Sequence, residues 1–211
     1  SPISAESYHS KEYDEIVSSI LVRYGIELLH IRHIAWHSLS LPRLAKQIGI
    51  PVVFSFHDFY TICPTVSLLD ENLVFCGGRC TDTEGQCDVK LWNNNLPKLK
   101  HNFIKTWQQM MADMLEYADA LVTTSSSAKV QSEQIYPHLN QKLFSVIPHG
   151  RDFPQLEANT AICEQFLHPS QPLRLLFPGN VGVHKGAELI AQIEALDTEK
   201  RIEFHFLGNT D

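Results

Sequence analysis

A glycine-containing turn near residue 180 has the composition of an anion-binding loop. Residues 177–186 (FPGNVGVHKG) connect a short apolar run to a helical pattern, so backbone N–H groups and the positive end of the helix dipole would meet there. Glycines let an anion approach the backbone, and Lys185 adds a mobile positive charge. The turn matches neither GxGxxG nor the P-loop pattern, so an ordinary glycine turn with a surface lysine is the alternative.

The pair His57-Asp58 directly follows a predicted strand, and ligands of open parallel sheets bind beyond the carboxyl ends of strands. Histidine can donate to a sugar hydroxyl or a phosphate, while aspartate can accept a hydroxyl proton or orient the imidazole ring. The alternative is a histidine bonded to a backbone carbonyl and a solvated aspartate that caps the next turn. His149-Gly150 stands in the same relation to a later strand.

Four cysteines fall within one predicted loop: Cys63, Cys76, Cys80 and Cys87. Only the Cys76-x3-Cys80 pair has spacing typical of zinc ligands, and four thiolates would make a structural site with no open coordination position. Four unrelated reduced thiols are the alternative.

Three histidines, His30, His33 and His37, do not predict a metal site. They fall in different predicted elements, and no flanking glutamate completes an HExxH pattern. Hydrogen-bonded structural histidines are the favoured interpretation.

Apolar periodicity places these residues in an α/β protein. Alternation of helices and strands is the rhythm of a parallel sheet, while residues 57–90 break it and predict a long functional loop. Gly25 and Gly49 are expected to end the first two helices. A Met and Trp stripe in the third helix predicts core packing. The predicted helices cover 13–24, 39–48, 103–118, a stretch capped by Ser126 or Ser127, and 187–196; the predicted strands cover 26–31, 51–56, 120–125, 143–147, 173–177 and 202–207.

Two domains are expected, over residues 1–152 and 173–211, with a proline-containing linker at 153–172. The second stretch has about forty residues, and a single βαβ of that size buries too little surface to stand alone. We therefore expect the chain to be part of a longer two-domain protein.

Composition excludes several classes of protein. Of the 211 residues 44% are hydrophobic and 19% charged, which is globular, and the formal charge of −7 argues against binding nucleic acid. No apolar run approaches the roughly 18 residues that span a bilayer, and the first residues lack a signal-peptide pattern. The sequence predicts a cytoplasmic protein with at most peripheral contact at the inner membrane face, and its odd cysteine count favours reduced thiols.

Four segments resemble motifs of one enzyme family. Residues 29–33 (LHIRH) resemble the strand VHxHH, and 51–64 (PVVFSFHDFYTICP) resemble PVVxTxHDYWxxCP. Residues 147–152 (IPHGRD) resemble xPNGVD, and 179–186 (GNVGVHKG) resemble GRLxxxKG. The sequence thus resembles the retaining GT-B glycosyltransferases of family 4 (group 1), which move a sugar from a nucleotide-diphosphate donor to an acceptor.

The resemblance implies two Rossmann-like lobes facing a shared crevice, of which the chain holds part of the N-terminal, acceptor-side lobe and the first βαβ of the donor-binding lobe. It implies a hexosyltransferase that uses a nucleotide-sugar donor and a glycan or glycolipid acceptor in surface polysaccharide synthesis, without a catalytic cofactor. Catalytic roles fall to His57 and Asp58, and Lys185 would hold the donor diphosphate. The further donor-binding residues would be Gly179, Asn180, Gly186, His149 and Gly150.

This sequence departs from the family pattern in three places. Asn180 stands where the family commonly has arginine. The N-terminal lobe has no glycine-rich loop, and the ExxxxxxxE segment would lie beyond Asp211, so we expect truncation at both ends and an inactive fragment. A noncatalytic nucleotide-sugar or carbohydrate-binding module and a metal hydrolase built on the histidines are the competing functions.

Overall fold

The computed structural model describes residues 8–70, 72, 74–80, 101–150 and 171–208. The chain divides into two compact units, Ser1–Gly150 and Arg151–Asp211, here called the N-terminal and C-terminal units. Most of the predicted linker at 153–172 lies outside the described residues.

The N-terminal unit is a parallel α/β layer structure, as the sequence predicts. Its four strands are hydrogen-bonded in the order β1-β2-β3-β4, and every neighbouring pair is parallel. Its elements are α1 (Lys11–Arg23), β1 (Leu29–Ile31), α2 (Leu41–Gln47), β2 (Val52–Phe56), α3 (His101–Leu115), β3 (Ala120–Thr123), α4 (Ser126–Ile135), a 3-10 turn (Pro137–Gln141) and β4 (Leu143–Val146).

The strand register aligns one row of the core. Ile31 lies opposite Phe54, Phe54 opposite Leu121, and Leu121 opposite Phe144, and all four side chains are buried. Burial alternates along β2, because every second residue of a strand points to the same face and here that face meets the core. Among the described residues, no helix is long and apolar enough to cross a bilayer.

The helices confirm some of the predicted faces and correct others. The Met and Trp stripe of α3 is core, with Trp107 and Met111 almost fully buried. In α1 only Leu21 of the predicted stripe is buried, while Ile16 and Ile20 are largely exposed. The apolar stripe of α1 is therefore wider than the surface against which the helix packs.

Local signals mark the helix ends well. Gly25 and Gly49 have φ of 58° and 82°, so each supplies the left-handed residue that ends a helix. β1 begins at Leu29, three residues later than predicted, and α4 is capped by Ser125, whose hydroxyl accepts from the N–H of Ala128 at 3.1 Å. Ser125 precedes the predicted caps because its extended backbone aims its hydroxyl at that amide.

The described part of the predicted loop, residues 57–80, is packed into the core. Tyr60, Ile62 and Leu68 are buried, and the buried amide of Gln108 donates to the carbonyls of Ile62 at 3.2 Å and Gly78 at 2.8 Å. Hydrogen bonds from Gln108 of α3 therefore hold this segment against the core.

The C-terminal unit is one parallel βαβ. It contains β5 (Leu173–Pro178), a 3-10 turn (Val183–Lys185), α5 (Ala187–Leu196) and β6 (Ile202–Leu207), with β5 and β6 in parallel register. The glycine turn of interest connects β5 to α5.

Candidate functional site

The parallel sheet brings the carboxyl ends of β1 and β2 side by side. Because Ile31 pairs with Phe54, the residues after β1 lie next to His57 and Asp58, which follow β2. A shallow, open depression lies at this edge, here called the cleft. It is lined by Arg32, His33, Ile34, Phe54, Ser55, Phe56, His57, Asp58, Tyr60 and Thr61.

Asp58 is held by two hydrogen bonds. The N–H of Ala35 donates to Nδ1 of His33 at 3.2 Å, so the ring proton of neutral His33 sits on Nε2 and donates to Oδ2 of Asp58, also at 3.2 Å. The backbone N–H of Tyr60 donates to Oδ1 at 2.8 Å. Although partial burial opposes it, these bonds and the neighbouring His57 lower the pKa of Asp58. Asp58 is therefore a carboxylate at neutral pH that accepts and orients instead of donating a proton.

Aromatic side chains support this arrangement from below. The ring of His33 lies 5.0 Å from that of Tyr60, which meets Trp107 edge-on at 4.9 Å. The indole N–H of Trp107 donates to the Tyr60 carbonyl at 2.9 Å. Burial raises the pKa of the Tyr60 phenol, so it stays neutral. The site thus rests on a core layer that fixes the backbone carrying Asp58.

The three N-terminal histidines have three different partners. His33 binds Asp58, His30 contacts the Ser55 hydroxyl at 2.7 Å, and His37 contacts the Tyr13 hydroxyl. Burial, and then the nearby His33, lower the pKa of His37. Among the described residues, no group of three or more His, Cys, Asp or Glu side chains is arranged to hold a metal ion.

His57 and Arg32 are the exposed members of the cleft. Both side chains line it, and neither forms a hydrogen bond or an ion pair with another described residue. Sequence reasoning singled out His57 and took His33 as a hydrogen-bonded structural histidine, but it placed neither His33 nor Arg32 in the site. The signal for both was present in the position directly after β1, because the same strand-end argument that selected His57 applies there.

His149 and Gly150 follow β4, at the same edge of the sheet but two strands away from β2. Both are exposed, and neither lines the cleft. Their predicted role in donor binding stays a prediction.

The glycine turn of the C-terminal unit differs in detail from the open loop that its sequence predicts. The N–H groups of Lys185 and Ala187 donate to the Gly182 carbonyl at 2.9 and 3.3 Å, and that of Gly186 donates to Val183. The exposed Lys185 ammonium remains for a ligand, together with N–H groups that follow Ala187 in the first turn of α5, which no side chain caps.

A glycine outside the predicted motif shapes this turn. A Cβ at Gly208 would lie 2.4 Å from the carbonyl oxygen of Gly179, and Gly208 has φ of 151°. The N–H of Gly179 donates to the Leu207 carbonyl at 2.7 Å. The end of β6 therefore packs directly on the start of the turn.

Two described cysteines, Cys63 and Cys76, have local hydrogen-bond partners. Cys63 is buried and contacts the Thr65 hydroxyl at 3.1 Å, and Cys76 donates to the Leu68 carbonyl at 3.1 Å. Burial raises the pKa of Cys63. Cys87 lies outside the described residues, so the four-cysteine zinc site with Cys80 stays a prediction.

Comparison with known families gives one match. The family model described as Glycosyltransferase Family 4 matches residues 2–153, more than two thirds of the chain and the whole of the described cleft. No curated protein matches the sequence.

Proposed function

The chain belongs to Glycosyltransferase Family 4, and from that premise we propose that it transfers a sugar from a nucleotide-diphosphate donor to a glycan or glycolipid acceptor in surface polysaccharide synthesis. Glycosyl transfer in general follows from the family. We further propose that the donor carries a hexose, that the acceptor is a glycan or glycolipid, that transfer retains the anomeric configuration, and that the protein is cytoplasmic.

The observation that carries the proposal is the position of His57 and Asp58. They follow β2 at the carboxyl edge of a parallel sheet and line an open cleft within the matched region. His57 is exposed and available to a substrate, and Asp58 is held as a carboxylate by His33 and Tyr60. A carboxylate and an imidazole at one edge can bind hydroxyl groups and stabilise developing positive charge at a reacting sugar.

We assign the donor diphosphate to the turn of the C-terminal unit. A departing diphosphate gains negative charge in the transition state, and cations and helix N-termini aimed at it lower the barrier. Lys185 supplies a mobile ammonium, and the first turn of α5 supplies amide donors. Gly179 and Gly186, with φ of 99° and 85°, adopt the left-handed backbone that this turn requires. Asn180 contributes no charge.

One pair of variants separates binding from chemistry. We expect Lys185→Ala to weaken binding of nucleoside diphosphates to the chain about tenfold or more, because a charge-assisted contact is lost. His57→Ala should leave that affinity unchanged while it lowers sugar transfer by the product of the whole gene. Lys200→Ala is the matched control, since Lys200 is an exposed lysine of the same unit.

Three results would count against the proposal. Equal affinity in the Lys185→Ala and Lys200→Ala variants would remove the donor assignment. Normal transfer by His57→Ala would remove the catalytic assignment. Tight nucleotide-sugar binding without transfer by the product of the whole gene would favour a noncatalytic module.

A further inference from the structure

The cleft of the N-terminal unit contains a cation, Arg32, that no other described residue engages. Arg32 and His57 line it without a hydrogen bond or an ion pair to another described residue. Two lysines of the unit are engaged by carboxylates: Lys46 by Asp119, and Lys142 by Glu116. An unengaged guanidinium inside a cleft is available to a ligand.

The one carboxylate among the lining residues, Asp58, forms no ion pair with Arg32. Oδ2 of Asp58 accepts from His33 and Oδ1 accepts from the backbone of Tyr60, so each oxygen has a partner of its own. The cleft therefore presents the Arg32 guanidinium with no described carboxylate bound to it, in a chain whose formal charge is −7.

The chemistry of these groups selects an anion. The planar guanidinium presents a rigid fork of N–H donors that fits phosphate or carboxylate, and an imidazole adds one further donor. A neutral sugar has no group that would balance an unpaired guanidinium. We propose that Arg32 and His57 bind an anionic group, phosphate or carboxylate, on the acceptor.

Calling the ligand the acceptor rests on the proposed function, which assigns the donor diphosphate to Lys185 in the other unit. The proposal names a substrate class, an acceptor with a phosphate or a carboxylate near the reacting hydroxyl. It also gives Arg32 a binding role that the sequence did not indicate.

Direct titration of the full chain tests this inference. The probes are inorganic phosphate, glucose 1-phosphate, glucuronate and glucose, and the signal is the ring resonance of His57, identified by its loss in His57→Gln. We expect glucose 1-phosphate or glucuronate to shift this resonance and glucose not to do so. Arg32→Gln should weaken the anion's binding about tenfold or more. Arg43→Gln, at an exposed arginine of α2 outside the cleft, should leave it unchanged.

Several results would overturn the inference. Equal anion affinity in the Arg32→Gln and Arg43→Gln variants, or no shift of the His57 resonance by any anion, would contradict it. If Arg32→Gln weakens the binding of UDP or ADP as much as it weakens the binding of glucose 1-phosphate, the anion that Arg32 binds belongs to the donor and not to the acceptor. Circular dichroism is the control that should show Arg32→Gln to be folded. Arg32→Lys keeps the positive charge but loses the guanidinium's paired N–H donors, so its affinity for the anion should be intermediate.

The two proposals fail separately. If Lys185→Ala leaves nucleotide affinity unchanged while Arg32→Gln weakens phosphate binding, the donor assignment is wrong and the anion site stands. The reverse pattern removes the anion site and keeps the donor assignment.

Discussion

Replacing Asp58 with asparagine tests the electrostatics of the cleft through stability alone. Asparagine has nearly the same shape and keeps an oxygen that can accept from the N–H of Tyr60. It removes the negative charge that the Nε2–H of His33 contacts at 3.2 Å. The variant therefore isolates the charge of the His33–Asp58 pair from the backbone bond at Tyr60.

The expected loss can be estimated from the geometry. A hydrogen bond to a charged group contributes about 1.5–3 kcal/mol, and 3.2 Å is long for N–H···O, so the lower value of about 1.5 kcal/mol applies. The Asp58 side chain is only 30% exposed, so solvent screens this bond less than it would a surface pair. Asp58→Ala also leaves the Tyr60 N–H without its acceptor and should cost about 3 kcal/mol in all.

The effect depends on pH with a definite sign. The pKa of Asp58 is lowered in the folded protein, so its carboxylate stabilises the fold fully above the ordinary carboxyl pKa of about 4. That stabilisation is lost as pH falls through the lowered pKa. The difference between wild type and Asp58→Asn should therefore be present above the ordinary carboxyl pKa and shrink as pH falls through the lowered pKa of Asp58.

Urea unfolding followed by tryptophan fluorescence measures this difference. All three tryptophans, Trp36, Trp92 and Trp107, lie in the first 150 residues, so the signal reports the N-terminal unit. A double-mutant cycle with His33→Gln isolates the pair energy. Equal stability of wild type and Asp58→Asn at pH 6, a difference that grows as pH falls below the ordinary carboxyl pKa, or a coupling energy of zero would refute the reasoning.

The remaining predictions concern two glycines. Gly78→Ala should destabilise the N-terminal unit by about 1–3 kcal/mol more than Gly49→Ala, because a Cβ at Gly78 would lie 2.3 Å from Cγ2 of Ile62. Gly49 also has positive φ, but a Cβ there would meet nothing within 4 Å, so Gly49→Ala is the control. Equal urea midpoints for the two variants would contradict this prediction. Gly208→Ala should push the Gly179 turn away from β6, because the new Cβ would clash with the Gly179 carbonyl. Amide hydrogen exchange at Gly179 should then be faster, since its N–H donates to the Leu207 carbonyl. Unchanged exchange at Gly179 would contradict this prediction.

Much of the architecture is determined by local sequence. The helix-ending glycines Gly25 and Gly49 have positive φ because the left-handed conformation costs glycine nothing, and this property depends on no distant residue. The α3 stripe around Trp107 was likewise predictable, since large apolar side chains at helical spacing have to face a core. Helix and strand order follows from the same periodicities.

Burial was less predictable where it depends on neighbouring surfaces. Ile16 and Ile20 repeat like core residues but are exposed, because the surface that covers α1 reaches only Leu21 and its flank. The sequence predicts a loop after Asp58, yet Ile62 and Leu68 in this segment belong to the core. The side chain of Gln108 in α3 donates a hydrogen bond to the Ile62 carbonyl and so holds the segment against the core. No periodicity within the segment reports a partner 46 residues away in the chain.

The sequence by itself determined the parallel α/β class, the position of His57 and Asp58 at a strand end, and the glycine turn before α5, since each depends on residues adjacent in the chain. Only the tertiary structure decided that His33 donates to Asp58 across 25 residues of chain and that Arg32 shares their cleft with no ion pair to another described residue. The reason is the register of β1 against β2, because it determines which residues at the strand ends are neighbours. A slip of one residue would turn the side chains of one strand to the opposite face of the sheet.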